Sequence, residues 1–399
     1  MYQSAASMFK NKKVLILGFG REGMSTYRFL RNMYPDMHLT IADKNEIKLD
    51  DKNVTLICGD SYMDSLNDFD IVMKSPGIAF LDVDIKDGTL VTCQTDLFLK
   101  FAPCRKVGIT GSKGKTTTST LIYDMLKEGG FDARLIGNIG VPVLEDINTV
   151  TPETIAVIEM SSHQLEFTTS SPEVAVLTNI YEEHLDHYRD GFRGYVNAKL
   201  NIVRRQKEGD TFIYNATQGL DGLCDLGKIK SHKVGVKKDA PLPFAVNNEH
   251  LLGEHNRQDI LFAFEAAKHF GVDIAAAERA VEKFSGIEHR MEKVGTFRGI
   301  TFYNDCIATI PHAVECAVEA LKNVDTLIFG GMDRGLDYSE FENYLKKSNI
   351  KNLIGTPETG HKICDKIEGA PKKNVYKAAN LDEAVKKAYE VTGKGKICL

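Results

Sequence analysis

Residues 107–118 read V-G-I-T-G-S-K-G-K-T-T-T, and no other stretch limits the fold of this chain as much. The apolar run 105–109 empties into a glycine-rich turn, and a helix-forming segment, 119–127, follows. A strand feeding a helix through such a turn belongs to an α/β layer fold, and the turn itself makes a phosphate site. Across Gly111, Ser112, Lys113 and Gly114 the backbone N–H groups can close around an anion, and the helix N-terminus adds partial positive charge. Lys115 is expected to reach the β- and γ-phosphates of ATP. The Thr116 hydroxyl is expected on Mg2+, with Thr117 beside it. Strict Walker A spacing wants glycine at position 109, where Ile109 stands, and Gly111 comes late instead. A glycine turn without a ligand is the plain alternative.

At 399 residues the chain exceeds a single core, and about two or three domains are expected. The net charge of −5 offers no electrostatic case for nucleic acid or an anionic membrane. No apolar run approaches the roughly 20 residues that span a bilayer, and residues 1–12 lack a signal-peptide layout. Eight scattered cysteines without C-x-x-C spacing read as reduced thiols in a cytoplasmic enzyme.

The opening segment repeats the strand–turn–helix theme. An apolar run, 13–17, precedes Gly18-Phe19-Gly20-Arg21-Glu22-Gly23, and a second run, 38–42, ends at Asp43. Taken alone this is a dinucleotide fingerprint, and a weak one, because any tight strand-to-helix turn uses such glycines. Further short strands are expected at 54–58, 71–74 and 90–91, with Ser75-Pro76-Gly77 as a turn. Residues 1–103 read as one doubly wound domain, 104–287 as the phosphate-loop domain, and 288–399 as a third α/β unit. The third unit ends in 396–399, a run that reads as the start of a strand, so it is expected to be incomplete.

Two apolar runs of the middle domain, 156–158 and 174–177, lead straight into polar clusters, where sites sit in open parallel sheets. Glu159 ends the first and suits Mg2+, an oxygen-seeking cation. The second leads to T-N-I-Y-E-E-H-L-D-H, residues 178–187, where His184 and neighbouring carboxylates suit metal binding or proton transfer. Solvated polar residues are the plain alternative at both. By spacing alone Lys199 reads as a surface lysine, and Asn256, Arg290 and Asp305 as loop residues.

Read together, the segments T-G-S-K-G-K-T-T, G-N-I-G, E-M-S-S-H-Q-L-E, T-N-I-Y-E-E-H-L-D-H, G-E-H-N, E-H-R-M-E, N-D-C-I-A-T and G-G-M-D-R-G resemble the Mur ligases, ATP-dependent amide-bond formers of peptidoglycan precursor synthesis. The E-M-S-S-H-Q-L-E and S-P-G-I forms look nearest the branch that adds glutamate to UDP-N-acetylmuramoyl-L-alanine. The resemblance implies three α/β domains: a Rossmann-like N-terminal domain for the UDP-substrate, a central P-loop ATPase and a Rossmann-like C-terminal domain. It implies ATP contacts from Gly111 to Thr117 and from Asn256, Arg290 and Asp305. Mg2+ ligands would be Thr116, Glu159, His184 and Lys199 as a carbamate. Gly18, Gly20, Arg21, Glu22, Gly23, Asp43 and Gly77 would grip the uridine diphosphate, and Asn138 and His184 would face the muramoyl part. The glycines then hold UDP rather than a nicotinamide dinucleotide. The chemistry implied is an acyl phosphate attacked by the glutamate amine, in a monomer without nucleic-acid or membrane partners.

The chain departs from the family pattern in its third domain. Ile307 stands where a lysine of the amino-acid pocket is expected, Arg334 replaces another lysine, and Asp259 replaces a frequent asparagine. Thr309 remains, and the family's final Ser- and Phe-bearing segment is not reached. Ile307 with G-R-E-G resembles a branch that joins L-glutamate, so glutamate chirality stays open. A folylpolyglutamate synthetase-like ligase, a dehydrogenase and a catalytically impaired nucleotide-binding protein are the competing readings.

Overall fold

The computed structural model describes residues 7–220, 222–308, 310–333 and 336–399. The chain divides into two compact units, Met1–Val246 with His255–Lys283, and Asn247–Glu254 with Phe284–Leu399.

The first unit holds two sheets. β1 (Val14–Leu17), β2 (Leu39–Asp43), β3 (Val54–Cys58), β4 (Ile71–Lys74) and β5 (Leu90–Thr92) pair in the order β3-β2-β1-β4-β5, every pair parallel. β1 and β4 are buried along their whole length, as strands covered on both faces must be, which is why they read as unbroken apolar runs. The strand order reverses between β1 and β4, so a crevice opens beyond their carboxyl ends, at Gly18 and Ser75.

β6 (Arg105–Thr110), β7 (Ala133–Gly137), β8 (Ile155–Glu159), β9 (Val174–Leu177), β10 (Thr211–Asn215) and β11 (His232–Val236) form the second sheet, ordered β11-β10-β9-β6-β8-β7. All its pairs are parallel. β6 lies between β8 and β9, so the strand tips carrying Gly111, Glu159 and Thr178 are neighbours. One apolar core runs through both sheets, from Ile16 and Phe98 to Ile158 and Leu177.

The second unit has a mixed sheet: β12 (Glu292–Phe297), β13 (Ile300–Asn304), β14 (Val324–Gly331), β15 (Asn352–Glu358), β16 (Asn374–Lys377) and β17 (Ile397–Cys398), ordered β12-β13-β17-β14-β15-β16. β12 and β13 are antiparallel, joined by Arg298 and Gly299, both at positive φ (53° and 83°), as a two-residue hairpin turn matching strand twist requires. Within the run 396–399, Ile397–Cys398 is strand, inserted between β13 and β14. Four strands of this unit, β12, β13, β15 and β16, went unread in the sequence; β12, for example, is largely exposed, so its apolar pattern is interrupted.

Candidate active site

The phosphate loop is held by the tip of β9. Thr178 Oγ1 (2.5 Å) and Asn179 Nδ2 (3.0 Å) both donate to the Lys113 carbonyl, and Lys113 N–H donates to Asn179 Oδ1 (2.8 Å). Gly114, at φ 82°, caps the helix Lys115–Glu128. A Cβ on Gly111 would strike the Thr178 hydroxyl, and one on Gly114 the Asp259 carboxylate. Both glycines are therefore required by close approach as well as by backbone conformation. The helix has no acidic residue in its first turn, so its positive end is not neutralised there. It begins at Lys115, earlier than the expected 119.

Two amines meet on one carbonyl. Lys115 Nζ lies 2.9 Å from the Gly111 oxygen and 3.0 Å from that of Ser112; Lys199 Nζ lies 2.8 Å from the same Gly111 oxygen. Two ammonium charges at one acceptor repel, which favours a neutral form for the more buried of them. Burial first, then the charge of Lys115, holds the Lys199 pKa well below the ordinary 10.5. Lys199 is not the surface residue that spacing suggested: it is 2% exposed, on the helix Gly191–Arg204. Its buried companions Tyr195, Ile202 and Val203 stand at helical spacing from it, a signal readable in the sequence. Tyr195, which the sequence did not flag, places its ring 4.6 Å from the Lys199 amine and its hydroxyl 2.6 Å from Ser112 Oγ.

Glu159 ends β8 and is 1% exposed. Its Oε1 accepts from Asn138 Nδ2 (2.6 Å), while its Oε2 is buried with no hydrogen-bond partner. An unpaired buried carboxylate oxygen is costly, and a cation is the partner that its chemistry fits. Among the described residues no three His, Cys, Asp or Glu side chains converge as a metal cluster; the expected set instead draws on the Thr116 hydroxyl and a modified lysine. His184 adopts a left-handed conformation, φ 55°, and burial draws its pKa down against the opposing Glu183. The ring of His163, missed in the sequence, lies 4.8 Å from that of His184, and burial, then His187 and His184, take its pKa to about 3.

The crevice of the first sheet is a cleft of about 480 Å3 that gathers Gly18, Gly20, Arg21, Glu22, Asp43, Gly77 and Asn138. Asn138 thus touches both the cleft and Glu159. Asp43 Oδ2 accepts from Phe19 N–H (2.6 Å). Burial raises the Glu22 pKa despite hydrogen bonds from Gln94 and Gln164. Gly23 does not line the cleft; a Cβ there would strike the Gly18 carbonyl, so it serves helix-to-strand packing. A larger hollow of about 730 Å3 opens at the other end of the sheet, beside Lys13, Val14 and His38, and holds none of the expected residues.

Asn256 sits not in a loop but on the helix Gly253–His269, 7% exposed. In the second unit, Asp305 Oδ1 accepts from Met291 N–H (2.9 Å), Arg290 Nε is buried without a partner, and Ile307 is 45% exposed. Thr309 and Arg334 lie outside the described residues.

Known proteins match this arrangement along the chain. The MurD-like N-terminal domain of Mur ligases matches residues 12–91, the Mur ligase middle domain 109–269, and the Mur ligase glutamate ligase domain 289–399. The chain belongs to the Mur ligase family. This Mur ligase is 33% identical to the UDP-N-acetylmuramoylalanine–D-glutamate ligase of Clostridium kluyveri, over 97% of this chain and 91% of that protein. It is 32% identical to the enzyme of the same name from Ligilactobacillus salivarius, over 98% and 91%. Among solved structures, the MurF ligase of Thermotoga maritima in complex with ADP shares the fold, with TM-score 0.63, 17% identity, and coverage of 97% and 90%. The Mur ligase fold thus has parallel N-terminal and central sheets and a mixed C-terminal sheet.

Proposed function

We propose that this Mur ligase joins glutamate to UDP-N-acetylmuramoyl-L-alanine at the expense of ATP, in the cytoplasm, through three parts spanning 1–103, 104–287 and 288–399. The observation that carries the reading is Glu159: one carboxylate oxygen accepts from Asn138, which lines the cleft, and the other is buried without a hydrogen-bond partner, the state a cation would relieve. The cleft would take the uridine diphosphate, and Asn138 and His184 would face the muramoyl end. Thr116, Glu159, His184 and Lys199 would hold Mg2+, which when bound offsets repulsion between the substrate carboxylate and the γ-phosphate. Lys115 and the loop amides would carry the rest of that charge. With its pKa drawn down by burial, the Lys199 amine gives up its proton more readily, and its free electron pair would then take up CO2 with release of a second proton, leaving an anionic carbamate as ligand. The substrate carboxylate would take the γ-phosphate of ATP with release of ADP, and the glutamate amine would displace phosphate from the resulting acyl phosphate and lose a proton; Asn256, Arg290 and Asp305 are assigned to the nucleotide, and Thr309 and Arg334 to the amino acid.

A second reading, joining of L-glutamate, rests on Ile307, 45% exposed, which together with the G-R-E-G segment resembles the branch that uses that enantiomer. The test is phosphate release and product mass with UDP-N-acetylmuramoyl-L-alanine, ATP and each glutamate enantiomer. Turnover with D-glutamate supports the main reading and turnover with L-glutamate alone the second. No turnover with either overturns both.

A further inference from the structure

Segment 160–167 carries polar side chains that neither the cleft nor the phosphate loop uses. Ser161 and Gln164 form a capping box around the turn Ser162–Leu165, which aims the Gln164 amide. Its Nε2 donates to Glu22 Oε1 (2.7 Å), in the first turn of the helix Arg21–Met33. Two residues on, Glu166 Oε2 takes Lys74 Nζ at 3.1 Å and stands 3.4 Å from His187 Nε2. One oxygen thus serves two elements.

Each of those elements leads to a different site. Lys74 ends β4, its side chain 1% exposed, its ammonium 5.5 Å and 5.3 Å from the ring centroids of Phe80 and Phe167. Ser75 and Gly77, directly after it, form the lip of the cleft. His187 closes the turn that follows His184: its N–H donates to the His184 carbonyl (3.1 Å). The His163 ring, 3.9 Å from that of His187, also packs on His184. Burial lowers the Lys74 pKa against the pull of Glu166, and removing one member of a buried pair leaves the other charge uncompensated.

We propose that Glu166 is a positioning residue for the ligase reaction: its shared oxygen ties the lip of the cleft, through Lys74, to the His184 turn, through His187. A nucleotide pressing on Ser75 and Gly77 then sets the His184 ring. This rests on the reading that the cleft takes a uridine nucleotide and that His184 serves the ATP–metal side.

The test uses the full chain and calorimetric titration with UDP and with Mg2+·ADP, each alone and in the presence of the other. In the wild type, UDP is expected to change the Mg2+·ADP Kd at least about fivefold, the lower end of typical couplings. In the double variant Lys74→Met/Glu166→Gln, which removes both buried charges together and so spares the fold, each Kd alone stays within about twofold and the coupling vanishes. Glu166→Gln alone should lower kcat with little change in KM for the UDP-substrate, a split that loosened packing does not produce. Coupling retained in the double variant, or absent from a wild type that binds both ligands, overturns the role of Glu166 while leaving the ligase reading intact. A wild type that does not bind UDP overturns the cleft reading and this inference with it.

Discussion

Two strand–glycine–helix turns lie in the first unit, 17–21 and 110–115, and both aim a helix N-terminus beyond the carboxyl end of a parallel strand. Both helices open on a basic residue, Arg21 or Lys115, but their acidic surroundings differ. In the first, Asp43 already takes the Phe19 amide, and the helix carries Glu22 in its first turn. In the second, the helix opens on Lys115 with no acid in its first turn, and a second amine, Lys199, reaches the same Gly111 carbonyl. The backbone physics is shared, so side-chain charge separates the roles. A carboxylate that accepts from hydroxyls suits the sugar end of a nucleotide, whereas phosphoryl transfer needs cations. On the proposed function the first turn holds a nucleotide that is only bound, and the second one that reacts.

The largest effect should come from Lys115→Ala. It is expected to lower phosphate release about 10²–10³-fold, as loss of one transition-state donor does, while UDP affinity by calorimetry stays within about twofold. An equal loss of UDP affinity would merge the two turns into one site and break the comparison. Asp43→Ala is the converse: UDP affinity falls about tenfold, the worth of a charge-assisted hydrogen bond, with Mg2+·ADP binding unchanged.

Stability should separate individual glycines of the two turns too: Gly18, at φ 86°, shares the left-handed conformation of Gly114, and Gly20 does not. Gly114→Ala forces a side chain to φ 82° against Asp259 and is expected to cost about 1–2 kcal/mol, read as a lower midpoint in denaturant. Gly20→Ala meets open space at φ −73° and should stay within about 0.5 kcal/mol. The smallest effect concerns the far end of the phosphate-loop strand, where Arg105 and His269 hold Glu173. Burial alone would raise the Glu173 pKa, but those hydrogen bonds outweigh it and bring it down to about 2 from the ordinary 4.5. As pH falls, the unfolded chain takes the proton first, so the contribution is full above about 4.5 and is lost toward 2. Acid unfolding of Glu173→Gln should be flatter across that window, with neutral-pH activity unchanged. A change in activity would extend the site down the strand.

Much of this was legible in the residues. The turn 110–115 declares itself through local rules, because glycine placement and a strand-to-helix reversal are decided within a few residues. Glu159 and His184 follow apolar runs and were candidates for that reason. Lys199 needed a helical phase that places it among Tyr195, Ile202 and Val203, and from spacing it read as surface; only the family resemblance pointed to it. His163 and Glu166 lie within the E-M-S-S-H-Q-L-E segment, which did not single them out; Tyr195 and Lys74 carried no motif, and Lys74 meets Glu166 only across 92 residues of chain.

The sequence by itself therefore determined the turns, their glycines, the alternation that builds parallel sheets and the family. Tertiary structure decided which carboxylate oxygen is buried without a partner, which lysine has its pKa drawn down and which oxygen is shared between two elements. The reason is range. Backbone conformation is set by neighbours in sequence, whereas solvation and charge are sums over neighbours in space, and those are assembled only when β6 is laid between β8 and β9.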